Sequence, residues 1–432
     1  MPSEQSDDGF LEELSRRSFD FFWREGDPDT GLVPDRALAD GTRGGDVASI
    51  ASMGFGLTAY TIGVERGWIS YEQGYDRTLN TLLYLRDELE NVRGFFYHFV
   101  DMETGERVWE CELSSIDTAL LIAGVLSSKA YFEGTEVAEV AQQIYDRVEW
   151  PWMHDGKATL SMGWKPESGF LPYHWHDYNE LKILYLLGLG SETHPLAESS
   201  WHAWRRVPLL TYGGRTFLAC APLFTHQYSQ AWYDFRNKRD DYADYWRNSV
   251  LATLAQQQAV VDKSDRFPLY SPTMWGLTAA DGPDGYRVLG SPMPTSGRHE
   301  VDGAVVPCAP GGSIPMAPEA TIPALREMKE KYPEAWTTYG FVDAFNPHTG
   351  WYNADVIGID VGITLLMAEN HRSGFVWDLF ARNPEVQRGM ARAGFRPLTL
   401  EEKQQSVNVS VFTDEPLPPD VRDQVRDSFS NQ

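Results

Sequence analysis

The sequence predicts an all-α fold, an (α/α)6 toroid with short β-hairpin excursions, on three observations. About a dozen segments carry apolar residues at helical spacing, and few show the alternation of a strand. Some of these helices are apolar on every side and others keep a polar face, which indicates an inner ring of buried helices inside an outer, half-exposed ring. The sequence has no fixed-period repeat of the kind that builds solenoids.

The predicted helices follow one another through most of the chain. Segments LKILYLLGLG at 181–190 and VGITLLMAEN at 361–370 are apolar nearly all round and are assigned to the inner ring, whereas 70–90 is amphipathic. The helical segments are predicted at 9–25, 46–66, 70–90, 114–132, 136–148, 178–189, 226–237, 241–260, 317–331, 360–373 and 384–393.

Two hairpins and a single domain complete the predicted architecture. Segment 95–110 alternates about a turn that contains Thr104 and Gly105, and segment 159–173 is bounded by proline and glycine. Because no linker or charge run divides the sequence, we expect one domain over 1–432, with a core at about 8–395 and a C-terminal extension at 396–432.

Charge and composition exclude several classes of function. The chain has 62 acidic and 37 basic residues and a net charge of −25, which argues against nucleic acid or an anionic membrane as a partner. No apolar run approaches the roughly 20 residues of a membrane span. No export signal is visible, so we expect a cytoplasmic protein, or a periplasmic or secreted one if a leader has been removed. Cys111, Cys220 and Cys308 are expected to be buried thiols.

The aromatic residues point to a carbohydrate ligand. The chain has 15 Trp, 20 Tyr and 21 Phe, and many lie in polar segments with Gly and Pro, such as 163–178 and 345–355. Binding residues concentrate in such loops. Flat aromatic faces beside Asp, Asn and His suit a sugar, whose C–H faces stack while its hydroxyl groups need hydrogen bonds.

Cleavage of a glycosidic bond needs one carboxylic acid and a second carboxylate, and two glutamates are candidates. Glu112 precedes a helix start in apolar surroundings that would raise its pKa. The alternative is a buried glutamate paired with an arginine or a backbone amide. Glu180 begins the most apolar helix, and its alternative is a capping box with Asp177, like the one predicted for Ser114 and Asp117.

Other polar residues are predicted to contact the substrate. Asp46 and Asp360 open apolar helices and have a plain alternative as N-caps, whereas Asp343 lies in a polar aromatic loop. The helix face in 222–237 either contacts the substrate or packs through hydrogen bonds. The predicted substrate-binding residues are Asp46, Asp177, Tyr178, His226, Gln227, Trp232, Asp343, Asn346, Trp351, Tyr352 and Asp360.

Metal, nucleotide and serine-hydrolase chemistry find little support. His174, His176 and Asp177 are competent metal ligands but lack an H-E-x-x-H spacing, so we expect no metal and no cofactor. The sequence has no G-x-S-x-G elbow and no phosphate loop that ends in GK[ST].

Five ordered motifs resemble a known family. They are ELSSIDTALLIAGVL, YNELKILYLLGLGSETHP, PLFTHQYSQAWYDFRN, GLTAADGPDGY and the long segment from GFVDAFNPHTGWYNADVIGIDVG to ARNPEV. Over about 8–395 the chain resembles the bacterial glucoamylase-like family, which includes endo-β-1,2-glucanases and the processing domain of cyclic β-1,2-glucan synthases. The resemblance implies a metal-free hydrolase of a β-linked glucan, most concretely β-1,2-glucan, on an (α/α)6 barrel.

The resemblance also implies roles for the two glutamates. Glu180 is expected to be the general acid, and Glu112 the base of an inverting mechanism, which is favoured, or the nucleophile of a retaining one. Two departures stand out: Cys308 in the segment 302–319, and Val361 in GIDVG where GIDQG is more usual. Two other classes stay open. A sugar epimerase or glycan lyase would depend on His226 or His176, and a non-catalytic glycan-binding protein would not need either glutamate.

Overall fold

Helices dominate the computed structural model, which describes residues 6–293 and 301–404. The α-helices are α1 Asp7–Glu25, α2 Ile50–Glu65, α3 Tyr71–Asp87, α4 Ser115–Tyr131, α5 Glu136–Asp146, α6 Lys182–Gly190, α7 Ser199–Ala203, α8 Tyr228–Trp232, α9 Tyr245–Val261, α10 Cys308–Gly311, α11 Pro318–Lys331, α12 Gly358–Arg372, α13 Phe375–Phe380, α14 Pro384–Arg392 and α15 Leu400–Gln404. Short 3-10 helices cover Trp150–His154, Leu223–His226 and Pro333–Ala335.

The described strands are short and pair antiparallel in twos or threes. The pairs are Arg36–Leu38 with Asp355–Ile357, Val47–Ser49 with Phe99–Asp101, Asn91–Val92 with Phe95–Phe96, Leu209–Tyr212 with Arg215–Leu218, Lys238–Arg239 with Arg396–Pro397, Ala279–Gly282 with Gly285–Val288, Trp336–Thr337 with Gly340–Phe341, and Phe345–Asn346 with Trp351–Tyr352. Leu113–Ser114, Gly163–Lys165 and Gly169–Phe170 form a three-stranded sheet. The predicted excursions at 95–110 and 159–173 both contain strands.

Two classes of helix are present, as the apolar pattern predicts. Every residue of α6 is buried, and so is α12 from Val361 to Asn370. In contrast, α3 buries only one stripe, which includes Thr78, Leu82 and Leu85. The buried helix α2 packs against both α4 and α12, and α1 packs against α12. Fully buried helices therefore form the centre of the fold.

Two predicted helices are shorter in the structure. The helix predicted at 178–189 begins at Lys182, because Asp177 forms an ion pair with Arg205 and the Asn179 side chain accepts the Leu181 amide. The predicted capping box of Asp177 and Glu180 is therefore wrong. The helix predicted at 226–237 covers only α8, since the chain becomes extended at Tyr233.

The predicted helix starts differ in their outcomes. Ser114 is the N-cap of α4 and accepts the Asp117 amide, which confirms that start, while its hydroxyl donates to the Asp117 carboxylate at 2.5 Å. The alternative in which Asp46 and Asp360 are helix N-caps is wrong. Ser49, not Asp46, caps α2, and Asp360 lies inside the first turn of α12.

Two further features of the fold concern its cysteines and the hydropathy of its helices. Cys111 and Cys308 are buried free thiols, as expected from the sequence, whereas Cys220 is a free thiol that is only half-buried. Within 6–293 and 301–404, none of the helices combines the length and the apolar character needed to cross a membrane.

Glycine sets the distance between α2 and α4. A Cβ atom on Gly54 would collide with the Leu120 carbonyl oxygen, and one on Gly124 would collide with the Gly54 carbonyl oxygen. Backbone cannot move aside as a side chain can. By comparison, a Cβ atom on Gly56, in the same helix, would meet only the side chains of Phe22 and Val33 at 3.2 Å.

We predict that Gly54→Ala destabilises the protein and Gly56→Ala does not. Both changes gain helix propensity, so their difference isolates the backbone collision. Overpacking of this kind costs about 1–3 kcal/mol. Thermal unfolding should show a clearly lower midpoint for Gly54→Ala alone; equal midpoints for the two variants would contradict the close α2–α4 packing.

Candidate active site

A cavity of about 650 Å³ lies at the N-terminal ends of the buried helices. Ser49 and Ala51 from the start of α2, Ile116 and Asp117 from the start of α4, Glu180 just before α6, and Asp360 in the first turn of α12 all line it. Its carboxyl groups are those of Asp35, Asp117, Glu180, Asp281, Asp343 and Asp360. Helix N-termini carry partial positive charge, which helps to hold these acids together.

Glu180 is a carboxylic acid on a fixed backbone. Its carbonyl oxygen accepts a hydrogen bond from Ser229 Oγ at 2.6 Å, and Lys182 Nζ donates to the Asn179 carbonyl at 2.7 Å. Burial raises the pKa of Glu180 to about 7, although the charge of Lys182 opposes the rise. Burial thus outweighs the neighbouring helix N-terminus, and the group can hold a proton near neutral pH.

Asp343 and Asp360 form a second acidic group, in which each carboxyl group affects the pKa of the other. Burial raises the pKa of Asp343 to about 6, and burial together with the charge of Asp343 raises the pKa of Asp360 well above its usual value. Asp343 Oδ2 accepts the Asp281 amide and Asn353 Nδ2, both at 2.8 Å. Two adjacent carboxyl groups cannot both ionise readily, so the pair carries about one negative charge.

His98 lies between two carboxylates at another part of the cavity wall. Its Nδ1 is 3.1 Å from Glu112 Oε1, and its Nε2 is 3.4 Å from Asp117 Oδ2. Burial alone would lower the pKa of His98, but the charges of Asp117 and Glu112 outweigh it and raise the pKa. In turn, the hydrogen bond from His98 lowers the pKa of Glu112. Glu112 is therefore held as an ionised partner of His98.

Arg36 supplies the other positive charge in the cavity lining. Its guanidinium group is 2.6 Å from Asp281 Oδ2 and 3.2 Å from Asp35 Oδ2. Burial nevertheless raises the pKa of Asp35. Since Asp281 also donates its amide to Asp343, Arg36 connects the strand Arg36–Leu38 to the acidic pair.

Four of the residues predicted from the sequence line the cavity. They are Glu180, Gln227, Asp343 and Asp360. Gln227 is fixed by hydrogen bonds from its side-chain amide to the Ala309 carbonyl and to Ser313 Oγ. Tyr178 and His226 are buried behind the wall, where the tyrosine hydroxyl is 2.9 Å from His226 Nδ1.

The other predicted contacts lie away from the cavity lining. Asp46 is exposed and pairs with Arg43, and Trp232 is buried in the core, where its indole donates to Thr58. The Asn346 side chain closes a turn by accepting the His348 amide. These three residues have partners within the protein.

Two further groups of predicted residues also have other partners. Trp351 and Tyr352 belong to a hairpin in which the Tyr352 ring stacks on Phe345 at 5.8 Å. In the segment with the metal-ligand alternative, His174 Nε2 is 2.9 Å from Lys157 Nζ, and Asp177 binds Arg205. A metal is therefore not favoured there.

Several lining residues were not predicted from the sequence. They come from loops and hairpins outside the predicted helices: Asp35, Arg36, His98, Phe99, Trp109, Asp281 and Tyr286. The sequence held a signal for two of these residues. Asp281 and Tyr286 lie in GLTAADGPDGY, which is among the motifs of the resemblance.

Comparison with known proteins places the chain in a family. A family model described as putative glucoamylase matches residues 172–384. The structure of a putative glucoamylase from Bacteroides uniformis is 30% identical, with a TM-score of 0.84 over 92% of this chain and 100% of that one. The chain belongs to the glucoamylase-like family.

Two other relatives have named activities. An endo-β-1,2-glucanase from Chitinophaga pinensis, solved with sophorotriose and glucose, is 29% identical, with a TM-score of 0.84 over 90% of this chain and 99% of that one. An exo-β-1,2-glucooligosaccharide sophorohydrolase from Parabacteroides distasonis is 25% identical over 90% of this chain. The chain spans 58% of the length of that second relative.

Two departures from the expected glucoamylase-like motifs have different surroundings. Val361 stands where a glutamine is more usual. It is buried and does not line the cavity, so this position makes no direct contact with a ligand there. Cys308 does line the cavity beside Asp360, whose charge, after burial, raises the pKa of the thiol well above its usual value. Cys308 is therefore a neutral thiol at the edge of the acidic pair.

We predict that Glu112→Gln lowers the pKa of His98. The change removes a hydrogen-bonded charge that favours the imidazolium form, while Asp117 remains. An NMR titration of the His98 ring would measure the shift. Glu103→Gln, in an exposed turn next to the same hairpin, serves as the control and should leave the titration unchanged. An unaltered His98 pKa in Glu112→Gln would contradict the contact.

Proposed function

We propose that the protein is a glycoside hydrolase that cleaves β-1,2-linked glucan with carboxyl groups alone. Support comes from the acidic cavity and from two relatives named for β-1,2-glucan hydrolysis. We also infer that the helices close into an (α/α)6 toroid of one domain. The packing of α1 against α12, near the two ends of the described chain, supports this closure, as do the fully buried central helices.

The observation that carries the proposal is that two acidic groups in one cavity differ in their protonation. Glu180 has a pKa of about 7, so a large fraction of the molecules hold its proton at neutral pH. The Asp343–Asp360 pair holds one negative charge in the same range. Two carboxyl systems whose surroundings give them opposite protonation states are what acid–base cleavage of a glycosidic bond requires.

Cleavage then takes two coordinated proton transfers. Glu180 gives its proton to the glycosidic oxygen as the bond from that oxygen to the anomeric carbon breaks. The ionised carboxylate of the pair accepts a proton from a water molecule, whose oxygen bonds to the anomeric carbon. The products are two shorter sugar chains, with the configuration at the new reducing end inverted.

Glu112 takes a different role in this mechanism from the one expected of it. Its carboxylate is engaged by His98 and does not line the cavity, so the acidic pair is a better base. Glu112 acts instead as a positioning residue for His98. His98, with a raised pKa, contributes positive charge to a wall crowded with carboxyl groups.

An epimerase or lyase is less well supported than a hydrolase. Such an enzyme abstracts a proton from carbon, and the histidines predicted from the sequence for that role are His226 and His176. His98 lines the cavity, but its pKa is raised by Asp117 and Glu112, which favours the imidazolium form over a base. Burial lowers the pKa of His226 to about 3, and it contacts the Tyr178 hydroxyl and the Cys220 carbonyl. His176 is exposed on a loop outside the cavity lining.

A polymer screen with a matched pair of variants tests the proposed function. The wild-type protein should release reducing ends from linear β-1,2-glucan, and not from β-1,3-glucan, β-1,4-glucan or starch. Glu180→Gln should lose at least about 100-fold in turnover while staying folded, because a general acid contributes about that factor or more. The exposed Glu198→Gln is the control and should keep full activity.

The outcomes of this screen separate the alternatives. Release from another polymer alone would contradict the linkage, and no release from any glucan would contradict the hydrolase. If Glu180→Gln keeps near wild-type turnover on a polymer that the wild type cleaves, the assignment of the acid is wrong. The size distribution of the products distinguishes endo from exo action, and NMR of the first product reports inversion.

The pH dependence gives a prediction with a definite sign. Activity should fall as the pH rises through about 7, because Glu180 then loses the proton that it must donate. Lys182 lowers the pKa of Glu180, so Lys182→Met should move this alkaline limb to higher pH. Lys331→Met, at the exposed end of α11, is the control and should not move it. A shift to lower pH, or none, would contradict the influence of Lys182.

A further inference from the structure

The mouth of the cavity carries two exposed aromatic rings. Trp109 is 69% exposed and Tyr286 is 66% exposed, yet both line the cavity. A side chain that meets both conditions stands where the cavity opens to solvent. Large apolar surface left exposed at a binding site is a common sign of a ligand contact. The mechanism proposed above uses neither ring.

The backbone that presents Trp109 is in an unfavourable conformation. Trp109 has φ 55° and Glu110 has φ 47°, and the Cys111 amide donates to the Val108 carbonyl across them. A tight turn with two positive φ values strongly prefers Asn and Gly, so a Trp-Glu turn costs free energy. Presentation of the exposed Trp109 ring to a ligand would account for that cost.

Neighbouring contacts hold this turn against the catalytic wall. The thiol of Cys111 lies 3.3 Å from both the amide nitrogen and the carbonyl oxygen of Phe99. The Trp109 ring packs edge-on against Phe99, with centroids 5.2 Å apart, and Phe99 stacks on His98 at 3.9 Å. The exposed ring is thus the outer end of an aromatic row that begins at His98.

Tyr286 is held by an independent part of the fold. It lies on the strand Gly285–Val288, directly opposite Asp281 in the register of that hairpin. The Asp281 carboxylate accepts a hydrogen bond from the Arg36 guanidinium group at 2.6 Å, and its backbone amide donates a hydrogen bond to the Asp343 carboxylate. The second ring is therefore positioned relative to the acidic pair, as the first is relative to His98.

We propose that Trp109 and Tyr286 form an aromatic subsite at the cavity mouth that stacks on pyranose rings of the bound glucan, outside the bond that is cleaved. Pyranose C–H faces are the ligand that flat, exposed aromatic rings beside carboxylates suit best. The subsite rests on the proposed function for its ligand, and it gives the enzyme affinity for longer chains. It replaces Trp351 and Tyr352 as the aromatic platform.

Binding and turnover measurements on matched variants test the subsite. The ligands are gluco-oligosaccharides of two to seven units with β-1,2, β-1,3, β-1,4 and α-1,4 linkages. Binding is measured by calorimetry in the Glu180→Gln background, so that the ligand stays intact. Trp109→Ala should weaken binding of the longer chains about fivefold, raise KM and leave kcat little changed. The disaccharide should be affected least.

Three further variants separate the ring from other effects. Trp109→Phe should keep part of the affinity, because a smaller flat ring remains. Tyr286→Phe should bind like the parent and Tyr286→Ala should not, which distinguishes ring stacking from the hydroxyl group. The matched control is Tyr173→Ala, which removes a ring that is 68% exposed but does not line the cavity, and it should change nothing.

The results distinguish failure of the subsite from failure of the proposed function. Unchanged affinity in Trp109→Ala, for an oligosaccharide that the parent binds, overturns the subsite and leaves the hydrolase standing. Weakened binding of an oligosaccharide with another linkage upholds the subsite and overturns the β-1,2 assignment. If the parent binds none of the oligosaccharides, both proposals fall.

Discussion

Burial of several carboxyl groups in one cavity is the constraint on which the site depends. Six carboxyl groups line it, and the cationic side chains in the same lining are Arg36 and His98. Burial raises the pKa of Asp35, Glu180, Asp343 and Asp360, and like charges nearby add to the rise, so these acids cannot all ionise readily. The fold pairs some of these acids with cationic side chains. Arg36 pairs with Asp281 and His98 lies between Glu112 and Asp117, which leaves Glu180 and the Asp343–Asp360 pair to hold protons.

The packing of the central helices delivers these acids to one place. Close approach of α2 and α4 needs glycine at Gly54 and Gly124, and the burial of α6 and α12 is nearly complete. Because these helices begin at the same cavity, their N-terminal residues meet there. The scaffold therefore sets the protonation of the site as well as its shape, since burial is the largest influence on Glu180 and on Asp360.

Local signals in the sequence predict the helices and part of the site. Apolar periodicity and the Ser114 cap depend on neighbouring residues, and both are found in the structure. Arg36 and Asp281 could not be paired in this way, because 245 positions separate them and hairpins bring them together. Tyr352, which composition predicts as a substrate contact, lies outside the cavity lining and stacks on Phe345, a contact that composition does not reveal.

Burial keeps Glu180 protonated near neutral pH in a cavity that it shares with an ionised carboxylate. A direct test is an NMR titration of the glutamate side-chain carboxyl carbons in wild-type protein and in Glu180→Gln. The account predicts one glutamate carboxyl that titrates near pH 7 in the wild type and is missing in the variant. Titration of every glutamate at ordinary values, below about 5, would contradict it, and so would a signal near pH 7 that persists in the variant.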